Sequence, residues 1–451
     1  MAAKIVRFPH KTPPVVPLAQ FIRLGEQSHK RVSSLFVEGH LAANRVVVDA
    51  SRLRYLRSQI KQFKEAGVEV VLDTKAAELA APLKFAGSAK DVPWSQVSGG
   101  DLVGMPYYLS GHPSDIYGQI ARCAVEYGVD AVLSPGHFLG DKNCDSWLDV
   151  DRAGCIQLRA ALDREGGRHI AIDYLLIVPH LMLNDATARQ NIMNALADLP
   201  FDNLWIRASG FGNDSPAQPT VAFISALTKL HNLGRPIITD YLGGLIGEAV
   251  MALGAASGFA HGVGESERFD ARQWHNPPKE RDPEKSGGRA IRISLAAINK
   301  SLTVKEYETL LSATGGKRLL LPSSHVAGLR TAADIIAEPK ILASREAVSN
   351  FNALNDVPNA HRATHFIQHR MESAVERARQ IKNLTPKPEI ARSKDVDPEK
   401  LMTRMSKLHK DMSRQSNSLT ELYEKLKDAG TSARAVHRLS SLEERARGGK
   451  S

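Results

Sequence analysis

The sequence predicts an α/β chain, a (β/α)8 (TIM) barrel with a helical C-terminal extension. Three observations predict it. From residue 44 onward, short β-branched runs alternate with amphipathic helical stretches, the pattern of a parallel sheet covered on both faces. Strand–helix repeats number eight over about 220 residues, the count and length of a closed barrel. No GxGxxG follows the first predicted strand, so an open dinucleotide-binding sheet is the weaker alternative.

The elements follow in order. Residues 45–49 (RVVVD) read as a strand, and 51–66 as a helix opened by Ser51 and stopped at Gly67. Residues 68–73 (VEVVLD) form the next strand, and 101–105, after Gly99-Gly100, a weaker third. A helix over 115–127 precedes the strand 129–133, and a helix over 151–164 precedes the long apolar run 169–178 (HIAIDYLLIV). Helices at 186–199, 220–233 and 247–253 alternate with strands at 201–206, 236–239 and 257–261. Residues 265–289 are polar and rich in Pro, Gly and charge, which marks a surface loop or lid. Amphipathic helices are expected over 359–383 and 398–427. The expected organisation is an N-terminal extension (1–43), the barrel (44–264), a lid and mixed segment (265–358) and a basic helical region (359–451).

The composition fits a globular chain: of 451 residues, 43% are hydrophobic and 24% charged. No run approaches the ~20 apolar residues of a membrane span, so no membrane partner is expected. The first 17 residues are broken by four prolines, against a signal peptide, and a cytoplasmic protein is the expectation. Three cysteines without a CxxC argue against a disulfide framework and a thiolate zinc site. No metal is assigned: there is no HExxH, and His137, His180 and His261 are far apart in sequence. No GxSxG elbow occurs, and no cofactor is specified.

The charge is lopsided. The chain carries a net +10, of which residues 361–451, with 20 basic and 12 acidic side chains, hold +8. Such a tail can neutralise phosphates and bind nucleic acid by counterion release, or be a solvated helix surface. The stripe Leu401, Met405, Leu408, Met412, Leu419, Leu422 and Leu426 suits a partner helix, a second copy or the chain's own barrel.

In a barrel, working residues lie at the C-terminal strand ends. Those positions hold Asp49, Asp73, His137, Asp173, His180, Arg207, Asp240 and His261. Singly, each fits a helix cap or a rim salt bridge, and Asp49 and Asp73 precede candidate helix starts. Together they are the ingredients of acid–base chemistry beside an anion. Asp73, Asp240 and His261 are the catalytic candidates. Asp49, His137, His180 and Arg207 are ligand-binding candidates, Arg207 as an anion clamp. Gly243-Gly244, opening a helix, and Gly262 with Gly264 form two glycine turns after the last strands, where such barrels bind phosphate.

Parts of the chain distantly resemble the tRNA-guanine transglycosylase superfamily. Residues 70–74 (VVLDT) are similar to the strand ending in that family's base-contacting aspartate. Residues 241–262 (YLGGLIGEAVMALGAASGFAHG) resemble its penultimate strand, helix and final strand, and residues 361–384 its closing helix. Two positions depart from the family. His261 stands where the nucleophilic aspartate belongs, and of the zinc motif expected near 321–325 only His325 is present. Covalent aspartyl base exchange is therefore not carried over. The leading expectation is an enzyme that binds a nucleotide or nucleic-acid base with its phosphate, with transglycosylase-like base modification as the implied reaction. The alternatives are an enzyme on a small phosphorylated metabolite, and a non-catalytic barrel that binds nucleic acid or protein.

Overall fold

The computed structural model describes residues 15–24, 29–41, 44–81, 88–140, 144–263, 267–274, 291–322, 329, 331–428 and 439. Gly264, most of 265–289, Ser323 to His325 and nearly all of 429–451 lie outside them.

Eight parallel strands close on themselves. They are β1 (Ala19–Arg23), β2 (Arg45–Asp49), β3 (Glu69–Asp73), β4 (Ala131–Leu133), β5 (Ala171–Pro179), β6 (Asn203–Ser209), then, past the two-residue β7 (Phe211–Gly212), β8 (Ile237–Asp240) and β9 (Gly258–His261). β9 pairs with β1, Phe21 beside Ala260 and Ile22 beside His261, and this closes the barrel.

The fold class is the one expected, but two of its parts are placed differently. The barrel begins at Ala19, inside the segment read as an N-terminal extension, and residues 101–105 are not a strand. β1 was hard to read because Gln20 and Arg23 break its apolar run, and prolines crowd the stretch before it. Residues 101–105 belong to a long connection of 3-10 turns between β3 and the helix Ile116–Tyr127. That helix begins where Asp115 accepts a hydrogen bond from Gly118 N.

Strand alternation divides the core in two. Phe21, Val47, Val71, Leu133, Leu175, Ile177, Trp205 and Ile238 fill the lumen. Phe21 meets Trp205 edge to face at 4.9 Å. The opposite faces of the strands pack on the surrounding helices. In Leu53–Glu65, for instance, Leu56, Ile60 and Phe63 are buried at three- and four-residue steps.

Past β9 come β10 (Arg268–Phe269), paired with β7, and an antiparallel hairpin of β11 (Arg292–Leu295) and β12 (Lys300–Thr303). The helix Pro398–Asp428 then lies along helices Glu372–Lys382 and Ala217–Leu230. Leu401, Met405, Met412, Leu419 and Leu422 are buried, so the apolar stripe is taken up by the chain's own barrel. The expected partner or second copy along 401–426 would have to compete with that packing. No helix among the described residues is long and apolar enough to cross a membrane.

Candidate functional site

Inward-facing positions at the C-terminal strand ends hold charge in place of apolar side chains. Arg23 (β1), Asp49 (β2), Asp73 (β3), Arg207 (β6) and Asp240 (β8) all point into the mouth of the lumen. Arg23 donates to both oxygens of Asp240 at 2.9 Å, to Asp49 at 3.0 Å and to Asp73. Arg207 donates through Nε to Asp240 at 2.7 Å and through Nη2 to Asp73 at 2.5 Å. Lys75 extends the network to Glu78 at 2.6 Å and to Asp49 at 3.6 Å. Arg207 and Asp73 are 0% exposed. Phe138, Phe269, Trp274 and Leu439 belong to the same apolar cluster as the lumen side chains.

Burial alone would raise the Asp73 pKa, but Arg207, Lys75 and Arg23 outweigh it and hold the carboxyl well below the usual range. Burial opposes the Arg207 charge, yet Asp73 and Asp240 raise its pKa. The anion that Arg207 clamps is thus the protein's own. A carboxylate fixed between two guanidiniums accepts hydrogen bonds but is a poor proton donor at neutral pH. Asp49 gives its helix no side-chain cap and serves Arg23 and Lys75 instead. Asp73 combines the ion pairs with a hydrogen bond from Lys75 N at 3.1 Å.

Backbone strain collects at this rim. Lys75, two positions past β3, and Tyr241, directly after β8, have φ of 56°, a region costly for residues with a side chain. The Tyr241 conformation brings its ring under Arg23, whose Cζ is 4.5 Å from the ring centre, and against Phe269.

His261 takes no part in this cluster. Its neighbour Ala260 faces the lumen, so His261 points outward. Nδ1–H donates to Gly262 O at 2.6 Å, which leaves Nε2 to accept from Gln20 Nε2 at 2.9 Å. Burial lowers its pKa to about 4, with the Gly262 carbonyl opposing, so the ring is neutral at pH 7. Of the three catalytic candidates, Asp73 and Asp240 therefore face the lumen and His261 faces away from it.

His261 instead lines a cavity of about 390 Å³ outside the lumen. One wall carries Phe259, Gly243, Gly244 and Gly262. The other carries the β11–β12 hairpin with Arg292 and Lys300, and the helix Pro339–Asn355. Helix Gly244–Ala252 starts here with Gly243 as N-cap and no side-chain cap. Gly244 has φ of 56°, and a Cβ on it would come within 2.4 Å of Asn299 Oδ1, so a larger residue there would be strained and would displace that side chain. Gly262 N already donates to Glu267 at 3.0 Å. Among the described residues neither Arg292 nor Lys300 has an ion-pair partner, whereas Glu248 is held by Arg370 at 2.8 Å and Glu306 by Arg404.

The remaining candidates lie elsewhere on the rim. His180 Nδ1 is 3.1 Å from Ser209 O. His137, after β4, is bound to Asp151. Sequence reasoning missed Arg23, because β1 went unseen, and Lys75, although it follows Asp73 by two positions. It also missed Asp151, whose helical position carried no signal.

No family model matches the chain, and no curated protein matches it. The resemblance to the tRNA-guanine transglycosylase superfamily therefore has no family match behind it. What stands is the closed eight-stranded barrel with its helical C-terminal region.

Proposed function

We propose that the barrel binds a nucleotide, or a nucleic-acid base with its phosphate, in the cavity between Gly243-Gly244 and the β11–β12 hairpin. One observation carries the reading: an uncapped helix N-terminus opens on a cavity whose far wall supplies Arg292 and Lys300. The first amides of a helix attract anions through unpaired N–H groups and the helix dipole, and two cations with no carboxylate partner among the described residues add to that field. The volume falls within the ~300–1,000 Å³ range of small-ligand sites. The stacked pair Phe259 and His261, 5.0 Å apart, offers a flat wall for a base. With Glu267 on Gly262 N, the phosphate would sit on the Gly244 side.

A second reading, a binding barrel without acid–base chemistry, is favoured by the way Asp73 and Asp240 are each held by both Arg23 and Arg207. Transglycosylase-like modification draws support only from the sequence resemblance. For nucleic acid, exposed Lys407 and Arg414 border an adjoining cavity that shares Lys300 with the first, so a strand could pass from the mouth onto the basic helix.

Calorimetric titration with inorganic phosphate, GMP, AMP, guanosine and ribose 5-phosphate tests the reading. The mononucleotides should bind in competition with phosphate, guanosine at least tenfold more weakly, and Lys300→Glu should weaken binding about tenfold. Equal affinity for ribose 5-phosphate would favour the small-metabolite alternative. Absence of phosphate and nucleotide binding would overturn the proposal. Lys407→Glu with Arg414→Glu, which leaves the buried stripe intact, should lower the salt slope of single-strand RNA binding by about 1.4.

A further inference from the structure

The strongest unassigned chemistry lies across the rim from the cavity, in the loop after β4. Asp151, in the helix Cys144–Arg164, grips His137 twice: Oδ2 accepts the backbone N–H at 2.8 Å and Oδ1 faces Nδ1 at 2.6 Å. The imidazole is stacked on Trp147 with centroids 3.7 Å apart and planes 17° apart, and Tyr108 closes against it edge-on at 4.6 Å. The ring can neither rotate nor exchange tautomer freely. With its proton on Nδ1, Nε2 presents a bare lone pair.

Among the described residues that lone pair has no partner. His137 is 2% exposed, and Nε2 is a buried acceptor without a hydrogen bond. The hydroxyl of Tyr108 and Oε2 of Glu78 are likewise buried and unpartnered, and both Glu78 and Asp151 act on Tyr108 electrostatically. Buried polar atoms without partners are costly, and a group of them marks a place for a polar molecule. The backbone is built to hold this arrangement. A Cβ on Gly136 would lie 2.3 Å from Leu175 O, so the turn before His137 is pressed against β5. Phe138 continues as a bridge to Ile177.

We propose that His137, positioned by Asp151, is a general base of this barrel and takes its proton from an O–H donor, a bound water or a ligand hydroxyl. The O–H bond breaks and its electron pair stays on the oxygen. The proton forms the Nε2–H bond, and the imidazolium charge faces the Asp151 carboxylate. Reprotonation of the product oxygen returns His137 to its starting state. The proposal is independent of the phosphate site.

The test uses the intact chain and needs no substrate. Nitrogen NMR at neutral pH, with His137 assigned by the loss of its signals in His137→Gln, should show the proton on Nδ1 and a bare Nε2. In Asp151→Asn the ring should lose that fixed tautomer and populate the Nε2–H form, while the native readout stands even if the variant does not fold. A proton on Nε2 in the native protein, or a tautomer indifferent to Asp151→Asn in a folded variant, would overturn the proposal.

Discussion

Replacing Arg207 with methionine removes the centre of the buried ion cluster while roughly keeping side-chain volume. Arg207 is fully buried and is bonded to both Asp73 and Asp240. Without it, those carboxylates keep Arg23 and the amides of Lys75 and Tyr241. Across the network, Arg23 and Lys75 then face Asp49, Asp73, Glu78 and Asp240, two cations against four carboxylates. Removing one partner of a buried pair costs about 3–5 kcal/mol, because charge is left uncompensated. That is a large share of the ~5–15 kcal/mol typical of a domain. Urea unfolding at pH 7, followed by far-ultraviolet circular dichroism, measures the loss. Adding Asp73→Asn should restore part of it, with a coupling of about 1–3 kcal/mol. A loss under about 1 kcal/mol, with the two changes additive, would refute the view that this cluster is a mutually dependent structural unit.

Three further outcomes follow from the geometry. The unfolded His261 ring titrates near 6.5 and the folded ring near 4, so the unfolded chain takes up the proton first as pH falls. Its stabilising contribution is therefore complete above pH 6.5 and declines by on the order of 3 kcal/mol towards pH 4, a slope that His261→Gln should flatten in urea titrations across that window. Burial pushes the Glu346 carboxyl up to about 7, so the residue destabilises increasingly as pH rises from 4.5 to 7. Glu346→Gln should then stabilise by about 1–3 kcal/mol at pH 8 and be neutral at pH 4. Gly136→Ala should cost about 1–3 kcal/mol, since its Cβ meets the Leu175 carbonyl, and should shift the His137 ring resonances.

The fold was legible where periodicity is strong. β2, β3 and β6 are apolar runs with a polar terminus, β5 is the longest apolar run, and the barrel's repeat count followed from them. β1 escaped because Gln20 and Arg23 break its apolar run, and 101–105 was read as a strand in its place. The total of eight came out right with one strand missed and one misplaced. In the site, sequence identified the charged strand ends Asp49, Asp73, Arg207 and Asp240 but not their pairing, because partners up to 217 residues apart meet only when the barrel closes. For His261 the residue was visible and its direction was not: a one-residue difference in strand register reverses the face. The His137–Asp151 pair depends on a helix meeting a loop 14 positions earlier, and no spacing rule encodes that contact.

Whether the late loops hold a phosphate-bearing ligand is decided by a crystal structure of the full chain soaked with GMP. Phosphate density should lie within hydrogen-bond distance of the Gly244, Leu245 and Ile246 amides and the Lys300 ammonium, with the base against Phe259 and His261. GMP bound elsewhere, or a cavity closed by Glu267 and Asn299 with the nucleotide absent at saturating concentration, would contradict it.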